Sequence, residues 1–458
     1  MDKRNVCVRP TRRAVLNAAV AALAAGRTLP ALPLQQGIVP VGPGNPRNTT
    51  DDPRFETTAE PANSPMGVGK GINPGRVVWA HQPKATRWDG ETGNWWDDEA
   101  TDGRLIAAML SETLRTLSGE KSDKRAWDSL FKFYNQTHKL SNAGYRPGEK
   151  IVLKVNSNQD RPGAWRFGAG MNSPQVFYAL VHQLITEAGV KGQDITLYDA
   201  SRYIGDPIFN KIRSNPDPNF QAVRFVVNER MAGSGRVPAA PDKTSPLNFS
   251  GSGVPTAYLP QCVTEAKYMI NVALPRAHTL MGYTGSAKNQ FGSIYFEGQG
   301  FTPRPVHDWA ARDLPMGSYN CLVDLIAHKH LGGKTVLYLH EFLYVSESQG
   351  GRVIKFQSMG DQWCSSLFAS QDPVAIDSVA LDFVRNEPKA KECRGKPENY
   401  LHEAALAEAP PSKTVYDPDK TGKVASLGVH EHWNNPTEKK YSRNLGKREG
   451  IELVALRT

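Results

Sequence analysis

Apolar positions follow two regimes along the chain. Arg76-Val-Val-Trp-Ala-His81 predicts a strand, an aromatic and acidic loop follows over 88–98, and residues 101–117 then place Leu105, Ile106, Met109, Leu110, Leu114 and Leu117 at helical spacing. A second helix is expected over 127–134. From Lys150 short apolar runs alternate with amphipathic stretches, the pattern of βαβ units around a mainly parallel sheet. Strands are expected at 151–155, 194–198, 223–227, 268–272, 335–339 and 366–369. Helices are expected from Ser173 as N-cap with Pro174 at the first position through to Gly189, and over 317–328 and 374–385. Residues 27–75 are rich in Pro, Gly, Asn and Thr without apolar periodicity and read as an irregular linker or wrapped arm. The expected fold is therefore α/β: a mainly parallel sheet with flanking helices, forming one unit over 76–458, with a long irregular N-terminal arm and a C-terminal extension.

The first 26 residues carry a different message. A basic stretch ending in Thr11-Arg12-Arg13 runs into an apolar stretch at 14–25, and small residues at 22–26 offer a cleavage zone. This resembles a twin-arginine export signal, which implies passage of a folded chain through that export machinery and a periplasmic or secreted location. The apolar run is too short to span ~30 Å of hydrocarbon, so no permanent membrane anchor is expected.

Composition narrows the classes further. Of 458 residues 39% are hydrophobic and 22% charged, which excludes a collagen-like or wholly disordered chain. Lys3, Arg4, Arg9, Arg12 and Arg13 against Asp2 alone account for much of the +9 net charge. No basic run with interleaved aromatics appears later, and the cluster of Lys439, Lys440, Lys447 and Arg448 reads as solvated surface, so no nucleic-acid partner is expected. Cys7 falls in the signal; Cys262, Cys321, Cys364 and Cys393 contain no C-x-x-C, so neither an iron-sulfur cysteine motif nor a zinc knuckle is present. Their pairing stays open between disulfides and buried thiols.

The carboxyl ends of parallel strands open onto a common edge, the ordinary place for a ligand. Asn156, Asp199, His278 and Asp372 stand at or just beyond expected strand ends, which favours a polar site there. For Asp372, before Pro373 and a helix, capping alone is a sufficient explanation.

These residues carry a family resemblance. Lys154-Val-Asn156, the Asp199-Ala-Ser turn, Arg276-Ala-His278, Gly285-Ser-Ala-Lys288-Asn289-Gln-Phe-Gly292 and Asp372-Pro-Val-Ala-Ile-Asp377 resemble, in order and spacing, the DUF362 family, a domain of unknown function, over about residues 150–385. The flanks at 94–97, 399–403 and 426–435 look like those of a larger exported variety of that family. Many members carry a ferredoxin-type cysteine segment, which this chain lacks. Arg276 stands where members commonly have Lys, keeping the charge but losing an amine able to deprotonate. The resemblance leaves Lys288 as an anion-binding or acid–base lysine, with Arg276 and Asn289 beside it.

The remaining histidines are less specific. His307 precedes a helix and faces the same expected cleft. His328 and His330 flank a helix end, where a cation would oppose the dipole. His430-Glu-His432 has the alternation that places two imidazoles on one face of a strand, a metal pair with no third ligand fixed by spacing. No G-x-S-x-G elbow, Walker loop or H-E-x-x-H is present. For Trp88, Trp95 and Trp96, packing over the sheet edge is weighed against a saccharide platform. The expectation is a cleft that binds an anionic or polyol small molecule, a saccharide or a metal, with His278 and Lys288 as catalytic candidates and Asn156, Asp199, Arg276, Asn289 and Asp372 as ligand-binding ones. The alternative is a non-catalytic periplasmic binding protein or scaffold. The cofactor is unassigned.

Overall fold

The computed structural model describes residues 61–457. The expected export signal at 1–26 and positions 27–60 of the expected arm lie outside the described residues.

A nine-stranded sheet organises the rest. Its strands are β1 (Arg76–His81), β2 (Ile151–Lys154), β3 (Ile195–Asp199), β4 (Arg224–Val227), β5 (Val237–Pro238), β6 (Tyr268–Ala273), β7 (Thr335–Phe342), β8 (Ser366–Ser370) and β9 (Glu452–Arg457). Across the sheet they lie in the order β9-β1-β8-β7-β6-β2-β3-β4-β5. β8 runs antiparallel to both neighbours, and every other adjacent pair is parallel. Both faces are covered, which is why β2, β3 and β6 are mostly apolar and buried along their whole length instead of alternating.

Helices α1 (Gly103–Ser118), α2 (Asp123–Thr137) and α3 (Pro174–Thr186) bury Ile106, Leu110, Trp127, Phe131 and Leu180 with Ile151, Leu153 and Ile270. On the opposite face α4 (Pro373–Arg385) and the helices at Cys321–Ala327 and Asn399–Ala405 pack with Val152, Met269 and Tyr338. α1 starts where Asp102 accepts the N–H groups of Arg104 and Leu105, and stops at Gly119 with φ +78, a left-handed turn that suits glycine. The helix expected from 317 begins only at Cys321, because the Asn320 side chain takes the Leu322 N–H and fixes the cap there. Ser173 occupies the cap position of α3, yet its hydroxyl donates to Gln175 and its N–H to Glu341.

Several pairings have no counterpart in the sequence expectation. A four-stranded sheet joins Gly300–Phe301, Tyr295–Phe296, Ala257–Pro260 and Pro241–Leu247. Met66–Gly67 pairs with Val429–His430, so residues 66–67 of the expected arm are wrapped onto the C-terminal extension. The tryptophan loop packs: Trp88 stacks on Trp363 at 5.5 Å, and Trp95 is fully buried beside Tyr344. Among the described residues Cys262, Cys321 and Cys364 are free thiols, and no helix is long and apolar enough to cross a membrane.

Candidate functional site

A cleft enclosing about 110 Å³ opens at the carboxyl ends of β2, β3 and β6. Asn156, Asp199, Arg276, His278, Lys288 and Asn289 all line it, joined by Arg202, His307 and Gln349. The winding of the sheet gathers them: β2 leads into Asn156, β3 ends on Asp199, and β6 leads into a hairpin pairing Arg276–His278 with Gly282–Thr284. The short helix Ser286–Asn289 then carries Lys288 and Asn289 back over the strand ends.

Beneath the floor lies a buried ion pair. Lys154, with no solvent exposure, sets Nζ 3.0 Å from Asp199 Oδ2 and also donates to the Val155 carbonyl and to Asn289 Oδ1. Burial pulls the Lys154 pKa down, and the Asp199 carboxylate opposes that pull. Asp199 also accepts the Ser157 N–H and both the N–H and hydroxyl of Ser201. The Asn289 amide donates to Asn271 Oδ1 and the Val272 carbonyl. Asp199 and Asn289, expected as ligand contacts, therefore have their polar groups engaged by the protein and act as the frame. Gly292 is required by this frame, since a Cβ there would lie 2.6 Å from both Asp199 Oδ1 and Lys154 Nζ.

The groups facing the opening are cationic. Arg276 is buried, with Nη1 donating to the Gly170 carbonyl and to Ser346 Oγ, and burial lowers its pKa to about 10 while Glu341 holds it up. Its Nε is buried without a hydrogen-bond partner among the described residues. Lys288 keeps some solvent contact through the cleft but is otherwise enclosed by protein. Desolvation, then the charges of Arg276 and Arg202, push its pKa down to about 7. Among the described residues it makes no ion pair; its ammonium lies 4.8 Å from the Phe291 ring centroid. Asp199, already paired with Lys154, is the single carboxylate lining the cleft among the described residues.

His278, a catalytic candidate from the sequence, is tied into the hairpin turn. Its Nδ1 accepts the backbone N–H groups of Leu280 and Met281 in the hairpin turn, so the ring proton resides on Nε2. Burial, then the Lys288 and Arg276 charges, drive its pKa far below the usual histidine range. The ring is a neutral hydrogen-bond donor at physiological pH. His307 is also shifted down, chiefly by burial and then by Lys288.

Asp372 is not part of the cleft. Because β8 runs against its neighbours, its carboxyl end lies on the opposite edge of the sheet. There Asp372 caps α4 through Val374 and Ala375 N–H, and it takes the Lys70 and Val429 N–H groups as well. His430 and His432 are likewise remote, bonded through Nδ1 to Ser378 and Asp382. Among the described residues no group of three or more His, Cys, Asp or Glu side chains is arranged to hold a metal. His328 caps its helix as expected by position, but burial lowers its pKa to about 4, so it presents no cation to the dipole.

Sequence reasoning passed over Lys154 as a working residue, although a lysine inside Ile-Val-Leu-Lys-Val is a visible signal. Glu341 was also missed. It is buried, has its pKa raised to about 7 by desolvation, and accepts Asn172 Nδ2 and the Ser173 N–H, while Asn172 Oδ1 takes the Asn156 N–H. That chain of contacts fixes the loop after β2. Gln349 comes from a distant loop and gives no local signal.

Comparison with known proteins adds a family. No curated protein matches the chain. Among solved structures, the lactate racemase apoprotein from Thermoanaerobacterium thermosaccharolyticum aligns at 9% identity with a TM-score of 0.27, over 72% of this chain and 61% of that one. Residues 151–382, slightly over half the chain, match the family described as Domain of unknown function (DUF362), and the chain belongs to that family.

Proposed function

We propose that this protein binds a small organic anion, a carboxylate or a phosphate, in the cleft beyond β2, β3 and β6, and that Lys288 takes up a proton as the ligand arrives. The observation that carries this reading is a pair of enclosed cations, Arg276 and Lys288, for which the cleft supplies no ion-pair partner. Enclosed charge is unfavourable unless paired, so the missing counter-charge is the natural ligand group. The small volume of about 110 Å³ suits an anionic head group. Neutral His278 adds a hydrogen-bond donor. Lys288, with its pKa near 7, is the acid–base group of the cleft.

Calorimetric titration with sulfate, acetate and glycolate at mildly acidic pH tests the proposal. The wild-type chain is expected to bind, and Lys288→Met and Arg276→Gln each to weaken binding about tenfold or more while retaining a native circular dichroism spectrum. Absence of binding by every anion in the folded wild-type protein would remove the reading.

A further inference from the structure

A second chamber of about 410 Å³ adjoins the cleft. Asn158 and Gln159 line both, and Gly170, whose carbonyl receives Arg276 Nη1, lines the second. Its walls are held by the protein. Trp165 stacks on Trp95 at 6.2 Å and donates to Asp160, Trp95 Nε1 donates to the Ala169 carbonyl, and the Val353 N–H donates to the Gly168 carbonyl.

Its charge resembles that of the first. Arg161 and Arg166 line the chamber, are exposed, and have no ion-pair partner among the described residues. The one carboxyl lining it among those residues is Asp160, whose Oδ1 accepts both Trp165 Nε1 and the Arg161 N–H and whose pKa burial raises to about 7. Two adjoining spaces, each with cations that have no ion-pair partner among the described residues, match a ligand with anionic groups at both ends.

Building on the proposed anion cleft, we infer that the ligand is a bis-anionic organic molecule. One anionic group meets Arg276 and Lys288, the body crosses Asn158 and Gln159, and the second anionic group meets Arg161 and Arg166. Charge at the outer end is a matter of affinity and selection, since exposed pairs are individually weak but two of them act together.

The test compares ligands of equal length in calorimetry: succinate through suberate against butyrate through octanoate, with the matching alkane bisphosphonates to separate carboxylate from phosphonate preference. Once long enough to leave the inner cleft, the diacid is expected to bind about tenfold more tightly than the monoacid. The Arg161→Ala/Arg166→Ala double variant should erase that advantage and leave sulfate affinity unchanged. Gly350→Trp offers a second route, because Gly350 lines the outer chamber, a Cβ there meets nothing within 4 Å, and an added ring would narrow the space. It too should erase the advantage alone. Equal affinities for diacids and monoacids, with sulfate binding intact, would overturn the two-chamber inference and leave the cleft standing. Loss of all binding, sulfate included, in the wild-type protein would overturn the anion cleft itself.

Discussion

Anion affinity should fall steeply as pH rises through neutrality, and the structure sets both the window and the slope. In the empty cleft, burial and the Arg276 and Arg202 charges hold Lys288 at about 7. An anion about 4 Å away contributes about 4 kcal/mol at an effective dielectric near 20, equivalent to about 3 pKa units. The occupied cleft therefore holds Lys288 protonated to about pH 10. Below pH 7 both states carry the proton and affinity is flat. Between about 7 and 10 binding takes up one proton, and the dissociation constant weakens about tenfold per pH unit. Sulfate is the right probe because its charge is constant across this range. Calorimetry in two buffers of different ionisation enthalpy counts the proton directly. His278, already neutral, adds nothing in this window. Glu341 also sits near 7 behind Arg276, so Lys288→Met isolates the amine from the carboxyl. A wild-type affinity that changes less than about twofold from pH 6 to 9, or a slope that survives in Lys288→Met, would refute the reasoning.

Two further outcomes concern the frame. Asp372→Ala strands four backbone N–H groups and should cost about 3 kcal/mol in urea denaturation, while sulfate affinity stays unchanged; a weakened affinity with normal stability would return Asp372 to the ligand site. Lys154→Met leaves Asp199 buried without its cation and should cost about 3–5 kcal/mol, most of it recovered when Asp199→Asn is added; equal stabilities for the single and double variants would show that the pair does not hold the floor.

The apolar runs at β2, β3 and β6 were legible because both faces of the sheet are covered, and a polar residue after such a run has reason to stand out. That is how Asn156, Asp199 and His278 could be placed on one edge before any coordinates. An apolar run carries no direction, however, so nothing in Ser-Leu-Phe-Ala-Ser revealed that β8 runs the other way and takes Asp372 with it. The strand Pro241–Leu247, reading PDKTSPL, has no apolar alternation and is defined only by its partners. Side-chain engagement was also hidden. Asn289 looks like a ligand contact until Lys154 and Asn271 are seen to occupy its amide, and the His278 tautomer is decided by two backbone N–H groups in a turn.

The pairing of β9 with β1 has a consequence for synthesis. β1 lies early in the described chain, and its parallel partner is made only much later. Until it emerges, a row of backbone amides along β1 stays open, ready to recruit a strand from another molecule. Closing so wide a sequence gap is slow. A chain lacking this one strand would thus keep the residues that line the cleft while gaining an adhesive border.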